Sequence, residues 1–247
     1  MKLGIDLGSR FVKIAVQNGE KIDFHREDTV FFYKNRVKRD ESGVKIDLSA
    51  YNADENTIIT ATGYGRNMLT FANANVISEI KAHYQGALQS SGENEFILVD
   101  VGGQDSKVIY VRDGYIEDFV MNDKCAASTG RFLENACRIL DISLEELSAM
   151  TENPVKMNST CAVFSESELV GKIAEGIPME HIGAGVNESI ARRLFPLIRK
   201  YRHKKIYAAG GVAENRGLIR LLSEMAESDI QVIKNPQFNG CFGCLWY

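Results

Sequence analysis

Apolar and polar residues near the start of the chain follow a pattern that predicts a β-hairpin. An apolar run over residues 3–7 contains Asp6 and stops at Gly8, and a second run from Phe11 to Val16 ends at an Asn-Gly pair. Asn-Gly after a strand is a strong signal for a tight turn. We therefore expect strands on both sides of Gly8 and a further turn after Val16.

The same pattern occurs a second time, over residues 96–111, and is again followed by an Asp-Gly turn. Asp6 and Lys13 are seven residues apart, and so are Asp100 and Lys107. A glycine follows each aspartate at the second position. A repeated unit of this size indicates a duplicated supersecondary structure.

The repeat predicts an α/β protein made of two halves with mixed sheets. The segment 88–94 is polar and rich in turn-forming residues, so we place the boundary there. The first half then covers residues 1–90 and the second half covers residues 91–233.

Hydrophobic periodicity predicts the remaining elements. After a strand at 57–61, we expect a helix with Val76, Ile77, Ile80 and Tyr84 on one face. The predicted helices after the second copy are 129–140, 143–150, 162–175, 183–201 and 214–227, and the predicted strands are 205–208 and 231–233.

Composition excludes several classes of partner. The net charge of −4 over 247 residues predicts no nucleic-acid partner, since such partners require a positively charged surface. No run of 18 apolar residues occurs, and the chain begins without the basic and apolar segments of a signal peptide. We therefore expect a cytoplasmic protein that does not bind membranes.

The Asp-x-Gly pairs have chemistry suited to phosphate. A glycine turn lets backbone N–H groups approach a phosphate, and a carboxylate beside it can hold Mg²⁺ through water. One such turn is usually only a turn, but a matched pair favours a site that clamps a triphosphate. A third turn, Gly210-Gly211, lies between a strand and a helix and can accept an adenosine. The sequence matches neither the P-loop nor the dinucleotide-binding pattern of glycines.

Three glycine turns in this order resemble the superfamily of actin, sugar kinases and heat-shock chaperone ATPases, in which two ribonuclease H-like halves close on Mg-ATP. The resemblance covers essentially the whole chain and implies a nucleotide cleft between the halves. It implies that Asp6 and Asp100 organise Mg²⁺ and that Gln104 or Asp105 positions the attacking water, with the choice between them left open. The residues expected to bind ATP or ADP are Gly8, Ser9, Lys13, Gly102, Gly103, Gly210, Gly211 and Asn215.

Five cysteines, an odd number in a chain of this size, indicate reduced thiols or metal ligands rather than disulfides. Cys125 and Cys161 each stand near the start of a predicted helix, where backbone N–H groups favour a thiolate or an anionic cluster. A 4Fe–4S cluster generally takes four thiolates, which a symmetric homodimer supplies.

Cys137 is expected in the core. Cys241 and Cys244 leave open a cluster or zinc site within one chain.

The segments 122–132 (NDKCAASTGRF) and 158–168 (NSTCAVFSESE), with GYGR and ISEIKAH upstream, resemble the ATPase family of activators of 2-hydroxyacyl-CoA dehydratases. That family is related to subunits of benzoyl-CoA reductases. The resemblance implies a homodimer that shares one 4Fe–4S cluster through Cys125 and Cys161. It also implies that ATP hydrolysis drives a low-potential electron to a partner iron–sulfur enzyme, with a ferredoxin or flavodoxin-type protein as the upstream reductant.

The C-terminal segment departs from this family. Cys241 and Cys244 stand where the resemblance predicts small residues such as alanine in a closing helix. In the family this segment packs on the nucleotide half, so we expect residues 234–247 to complete the first half.

Two other functions stay open at this point. A small-molecule kinase of the same superfamily usually carries substrate-binding insertions, for which 247 residues leave little room. A nucleotide-dependent switch that binds a partner protein would use its cysteines only structurally. The ordinary interpretation of His83 is a satisfied helix histidine rather than a relay to the nucleotide region, and that of Glu166 and Glu168 is a solvated helix face rather than contacts with a partner.

Overall fold

The computed structural model describes residues 1–40, 43–65, 74–123, 129–158 and 164–247. These residues form two compact units. The first unit comprises Met1–Gly92 and Phe238–Tyr247, and the second comprises Glu93–Gln237. In the part of the chain that is described, no helix has the length and apolar character needed to cross a membrane.

The described chain contains both strands and helices. The strands are β1 (Lys2–Leu7), β2 (Phe11–Asn18), β3 (Lys21–Asp28), β4 (Val37–Asp40), β5 (Gly43–Ile46), β6 (Ile58–Thr62), β7 (Ala74–Val76), β8 (Phe96–Val101), β9 (Ser106–Arg112), β10 (Tyr115–Asn122), β11 (Ile206–Ala209) and β12 (Ile230–Val232). The helices are α1 (Thr29–Arg36), α2 (Glu79–Ser91), α3 (Gly130–Leu140), α4 (Leu144–Ala149), α5 (Phe164–Ala174), α6 (Met179–Ile198), α7 (Arg216–Ala226) and α8 (Asn239–Cys244).

Each unit is built around a five-stranded sheet, and both sheets have the same topology. The strand order is β3-β2-β1-β6-β7 in the first unit and β10-β9-β8-β11-β12 in the second. Antiparallel pairing joins the first three strands of each order, and parallel pairing joins the others. The two predicted hairpins are confirmed as β1–β2 and β8–β9.

A glycine follows the parallel strand at the same place in both sheets. Gly63 follows β6 with φ of +99°, and Gly210 follows β11 with φ of +84°. A Cβ on Gly63 would lie 2.6 Å from the backbone N of Leu7, and one on Gly210 would lie 2.9 Å from that of Val101. Leu7 and Val101 each come directly after the aspartate of an Asp-x-Gly turn. Gly63 is therefore the first unit's equivalent of Gly210, which extends the duplication beyond the hairpins.

Packing in the core of the second unit holds strand β8 in position. Every residue of this strand is buried. Ile97 and Val99 share a core cluster with Phe132 of α3, Leu194 of α6 and Leu222 of α7. Full burial of each such side chain contributes about 1.5–3 kcal/mol. This packing determines where the aspartate near the end of β8 lies.

The segment before α2 differs from the sequence prediction. The predicted helix face that includes Val76 and Ile77 is wrong, because Val76 belongs to β7 and is 43% exposed. The N–H of Ile77 donates to Ala61 O at 3.0 Å and so extends the sheet. The helix begins only after Ser78, whose hydroxyl accepts from the N–H of Lys81 at 3.3 Å.

The buried face of α2 also differs from the prediction. It is formed by Ala82, His83, Gly86 and Ala87. The face consists mainly of small residues because α8 packs closely against it. A Cβ on Gly86 would lie 2.2 Å from the carbonyl oxygen of Asn239.

Candidate functional site

The first Asp-x-Gly turn holds a nearly buried ion pair. Asp6 is 4% exposed, and the Nζ of Lys13 lies 3.2 Å from its Oδ2. The two residues meet because they are directly opposite in the antiparallel register of β1 and β2. Gly8 and Ser9 follow as the turn, and the hydroxyl of Thr29 donates to Gly8 O at 2.8 Å. The register thus holds a carboxylate and an ammonium together beside a glycine turn.

The second turn repeats this pair and adds a carboxylate. Lys107 is 2% exposed, and its Nζ lies 3.5 Å from Asp100 Oδ2 and 2.7 Å from Asp105 Oδ2. The N–H of Gly102 donates to Asp105 O at 2.9 Å, and a Cβ on Gly102 would lie 2.9 Å from Asp105 Oδ1. One lysine therefore faces two carboxylates, and the excess negative charge suits a divalent cation.

Two side chains distinguish the second turn from the first. Gln104 and Asp105 occupy the positions that Arg10 and Phe11 occupy in the first copy. Arg10 bonds Asp28 Oδ2 at 2.6 Å, and its guanidinium carbon lies 4.6 Å from the centroid of the Phe11 ring. Gln104 is exposed. The two predicted water-positioning residues therefore belong to the second unit, and of these Gln104 has the more exposed side chain.

Helix α3 begins directly on the second turn. The N–H of Gly130 donates to Gly102 O at 2.9 Å, and the N–H of Arg131 donates to Gly103 O at 3.0 Å. Gly130 and Arg131 are the first two residues of the helix, where N–H groups find no acceptor within the helix itself. The backbone of the turn and the start of α3 are therefore mechanically coupled.

The third glycine turn follows β11. Gly210 cannot carry a side chain, because a Cβ there would lie 2.2 Å from Val101 O. Gly211 is exposed, and no atom of the described residues beyond its own chain neighbours lies within 4 Å of the place where its Cβ would be, so a ligand can approach its backbone. Asn215 caps α7 through Oδ1, and its Nδ2 donates to Asn187 Oδ1 at 2.8 Å. The protein already engages this side chain, and its role in nucleotide binding stays a prediction.

Comparison with known proteins decides the family. The sequence pattern of the BadF/BadG/BcrA/BcrD ATPase family matches residues 3–247. The chain belongs to this ATPase family. The (R)-2-hydroxyglutaryl-CoA dehydratase activating ATPase of Acidaminococcus fermentans is 36% identical over 99% of this chain and 95% of its own length. A benzoyl-CoA reductase subunit of Thauera aromatica is 29% identical over 90% of this chain and 81% of its own length.

A solved structure supports the same assignment of this ATPase. The activator of the 2-hydroxyisocaproyl-CoA dehydratase from Clostridium difficile, solved with bound ADPNP, matches with a TM-score of 0.85 at 31% identity. The match covers 100% of this chain and 93% of that one. The predicted family is therefore confirmed. So is the predicted fold class, an α/β fold of the actin, sugar kinase and heat-shock chaperone type with mixed sheets.

Cysteines in the described part of this ATPase are buried thiols. Cys137 lies in the core of the second unit, as predicted. Burial, together with nearby glutamates, raises its pKa to about 11. Burial also raises the pKa of Cys241 and Cys244 well above the usual range. Cys241 Sγ lies 3.1 Å from Phe238 O, and Cys244 Sγ lies 3.9 Å from Ile5 O, so both thiols already contact backbone carbonyls of the first unit.

The predicted cluster ligands Cys125 and Cys161 lie outside the described residues. Among the residues that are described, no group of three or more histidine, cysteine or acidic side chains is arranged to hold a metal ion.

The helices that follow the two predicted ligands, α3 and α5, pack against each other. Arg138 Nη2 of α3 lies 3.5 Å from Glu166 Oε2 of α5. Glu168 Oε1 accepts from the N–H of Asn158 at 2.7 Å. Glu166 is exposed and Glu168 is half-buried, and both side chains have partners within the chain.

Sequence reasoning missed Asn239 and Gly240, which lie near Asp6 in the first unit, and it favoured the ordinary interpretation of His83 over a relay to the nucleotide region. A Cβ on Gly240 would lie 3.0 Å from His83 Nε2 and 3.2 Å from Asp6 Oδ2. Asn239 and His83 are 156 positions apart and meet through the packing of α8 on α2. The available signal was a histidine on a helix face made otherwise of small residues.

Proposed function

We propose that this protein is an ATP-dependent one-electron donor that activates an iron–sulfur enzyme such as a 2-hydroxyacyl-CoA dehydratase. Its family is an ATPase family. Similar proteins carry the names of dehydratase activators, and one of them was solved with bound ADPNP. The electron-transfer part of the proposal rests on the resemblance of the cysteine segments to those activators.

The donor groups of the described residues fit Mg-ATP. Carboxylate oxygens are the ligands that Mg²⁺ prefers, often through water, and Asp6 and Asp100 each offer a carboxylate beside a glycine turn. The accessible backbone at Gly211 suits an adenosine. In this proposal Asp6 and Asp100 organise Mg²⁺, while the phosphates and adenosine are bound by Gly8, Ser9, Lys13, Gly102, Gly103, Gly210, Gly211 and Asn215.

We assign the positioning of the attacking water to Gln104. Its side chain is exposed, whereas the Asp105 carboxylate is held by Lys107 at 2.7 Å. A residue that orients water must have a free donor or acceptor near the phosphate. The assignment predicts that Gln104→Ala lowers kcat for ATP hydrolysis more than it raises KM.

The observation that carries the proposal is the pair of backbone hydrogen bonds between the second turn and the start of α3. Gly130 and Arg131 donate to the carbonyls of Gly102 and Gly103, and the helix begins five residues after Cys125. A nucleotide that binds one backbone state of the turn more tightly shifts the equilibrium toward that state. The start of α3 then moves with the turn and acts on the segment that carries a proposed cluster ligand.

A shared 4Fe–4S cluster would supply the low-potential electron when it is bound. Cys125 and Cys161 of each chain in a homodimer provide the four thiolates that such a cluster generally takes. The contact between α3 and α5, the helices that follow these cysteines, supports a common binding region.

Anaerobic purification tests the proposal. We expect a brown homodimer with about four iron atoms. Cys125→Ala and Cys161→Ala should each lose the iron and keep nucleotide binding, whereas the control Cys137→Ala should keep both. Asp100→Asn should abolish ATP hydrolysis and leave the iron in place. Colourless, iron-free protein after anaerobic reconstitution would contradict the proposal.

A benzoyl-CoA reductase-type partner is the second candidate for the electron acceptor, since a benzoyl-CoA reductase subunit is among the similar proteins. Reduced protein can be mixed with ATP and either a purified dehydratase or a purified benzoyl-CoA reductase partner. Electron paramagnetic resonance then reports which iron–sulfur centre becomes reduced. Replacing dithionite by a ferredoxin or a flavodoxin tests the proposed upstream reductant.

A further inference from the structure

A buried polar group lies beside Asp6 in the first unit. His83 on α2 is 6% exposed, and Asn239, the first residue of α8, is 2% exposed. Asn239 Nδ2 donates to His83 O at 2.9 Å and lies 3.4 Å from His83 Nδ1. One amide thus contacts both the backbone carbonyl and the imidazole ring of His83.

The contacts of Asn239 determine which imidazole nitrogen carries the proton. A backbone carbonyl can only accept, so the NH₂ group of Asn239 must face His83 O. The opposite amide orientation would bring two oxygen atoms together at the same 2.9 Å distance. The same NH₂ group faces Nδ1, which must therefore accept, and the neutral ring carries its proton on Nε2.

The Nε2 atom of His83 and the carboxylate of Asp6 both border the space beside Gly240. Gly240 has no side chain, and the position of a Cβ there would be 3.0 Å from Nε2 and 3.2 Å from Asp6 Oδ2. The separation of Nε2 and Oδ2 therefore cannot exceed the sum of these two distances. Lys13 Nζ contacts the same Oδ2 at 3.2 Å. One oxygen of the carboxylate thus contacts a cation, and the same oxygen borders the space that His83 Nε2 also borders.

We propose that His83 is a positioning residue for Asp6, held in the Nε2–H tautomer by Asn239. The Nε2–H group donates to the Asp6 carboxylate, directly or through one water, across the space that Gly240 leaves. The orientation of the carboxylate, and with it the Mg²⁺ dependence of ATP hydrolysis, then depends on this donor. This inference rests on the proposed function of Asp6 in organising Mg²⁺.

Two substitutions at His83 separate the donor from the packing. Glutamine places an N–H group at nearly the reach of Nε2, and leucine removes it. His83→Leu should raise the Mg²⁺ concentration for half-maximal ATP hydrolysis by about ten- to hundredfold, the range found when partners of metal ligands are removed. His83→Gln should restore most of this loss.

Cys244→Ala is the matched control. Cys244 packs with Ala82 of α2, so its truncation loosens the same helix pair without touching the polar group. We expect a lower Tm and an unchanged Mg²⁺ dependence. If both His83 variants behave like Cys244→Ala, His83 is merely structural and the inference is wrong. Asp6→Asn with unchanged hydrolysis and Mg²⁺ dependence would instead refute the proposed function of Asp6 itself.

A nuclear magnetic resonance measurement gives a readout that does not depend on hydrolysis. Long-range ¹H–¹⁵N spectra distinguish the two neutral imidazole tautomers, and His83→Gln identifies the signal among the four histidines. We expect a ring protonated at Nε2 that becomes a tautomer mixture in Asn239→Ala. A ring protonated at Nδ1 overturns the inference, whatever the kinetic results.

Discussion

Two buried serines of the second unit differ in whether the hydroxyl has a partner. Ser106 is 0% exposed, and its Oγ has no hydrogen-bond partner among the described residues. The equivalent position in the first unit is Val12, an apolar residue. Ser189 is 8% exposed, and its Oγ donates to Val186 O at 2.8 Å.

Ser106→Ala should keep or raise the free energy of unfolding, because it removes a buried hydroxyl that makes no hydrogen bond with the described residues. Ser189→Ala should lower it by about 1 kcal/mol, the usual net contribution of one hydrogen bond. Thermal unfolding of the two variants makes the comparison. A larger loss of stability in Ser106→Ala than in Ser189→Ala would show that the hydroxyl of Ser106 contributes a favourable contact.

The buried cysteines lead to a prediction about pH. The pKa of Cys137 is raised from its ordinary value of 9.0 to about 11. Alkylating reagents react with the thiolate, so Cys137, Cys241 and Cys244 should label slowly in the native protein at pH 8. Labelling of Cys137 should increase as the pH approaches 11. Mass spectrometry of pulse-labelled peptides, with urea-unfolded protein as the reference, measures both effects.

The raised pKa of Cys137 also determines the direction in which its contribution to stability changes with pH. The folded-state pKa of Cys137 is raised, so the stabilising contribution of its neutral thiol is complete below pH 9.0 and is lost as the pH rises through about 11. Cys137→Ala should therefore show a shallower fall of Tm over this interval. An identical slope in the variant would assign the alkaline loss of stability to other groups.

Helix α8 is held in place by close backbone contacts. A Cβ on Gly243 would lie 1.8 Å from Ala82 O and 2.7 Å from the N of Gly86. Gly243→Ala should therefore push α8 away from α2 and cost at least the 1–3 kcal/mol that is typical of overpacking. Gly171 of α5 is the control, since no atom of the described residues outside its own stretch of helix lies within 4 Å of the position of its Cβ. Gly171→Ala should be neutral or stabilising, and urea unfolding compares the two variants.

Elements whose signals are local were predictable from the sequence. The hairpins follow from turn residues that lie a few positions from their strands, and α3, α5 and α7 follow from helical periodicity. The prediction around Val76 and Ile77 was wrong because pairing with β6 outweighs the periodicity of four apolar residues. The buried face of α2 was not predictable, since it depends on α8, which lies about 150 positions further along the chain.

At the scale of the whole molecule, duplication explains which residues of the candidate site could be predicted from the sequence and which could not. Asp6 and Asp100 stand out because the chain repeats their spacing to a lysine. Gly63 and Gly210 also occupy equivalent positions in the two sheets. The residues around them in the sequence differ, so this equivalence is visible only from the strand pairing. The residues that support Asp6 have no counterpart in the repeat and come from distant segments.

The duplication also leads to a test of whether both Asp-x-Gly turns bind one nucleotide. A ligand at about 100 times its Kd stabilises a folded protein by about 2.7 kcal/mol. Mg-ADPNP should therefore raise the Tm of the native protein, and Asp6→Asn and Asp100→Asn should each remove most of this rise. The surface variant Asp118→Asn, which breaks a pair with Lys200 at 3.0 Å, should leave it unchanged.

The double variant Asp6→Asn/Asp100→Asn decides between shared and separate binding. Residues that act on the same ligand give non-additive effects, whereas distant and independent residues give additive ones. If both aspartates organise the same Mg²⁺, the first substitution already removes most of the interaction. The affinity for Mg-ADPNP, measured by calorimetry, should then fall less in the double variant than the product of the two single effects. Fully multiplicative losses would mean that the two turns act independently, and the prediction of one nucleotide bound by both would be wrong.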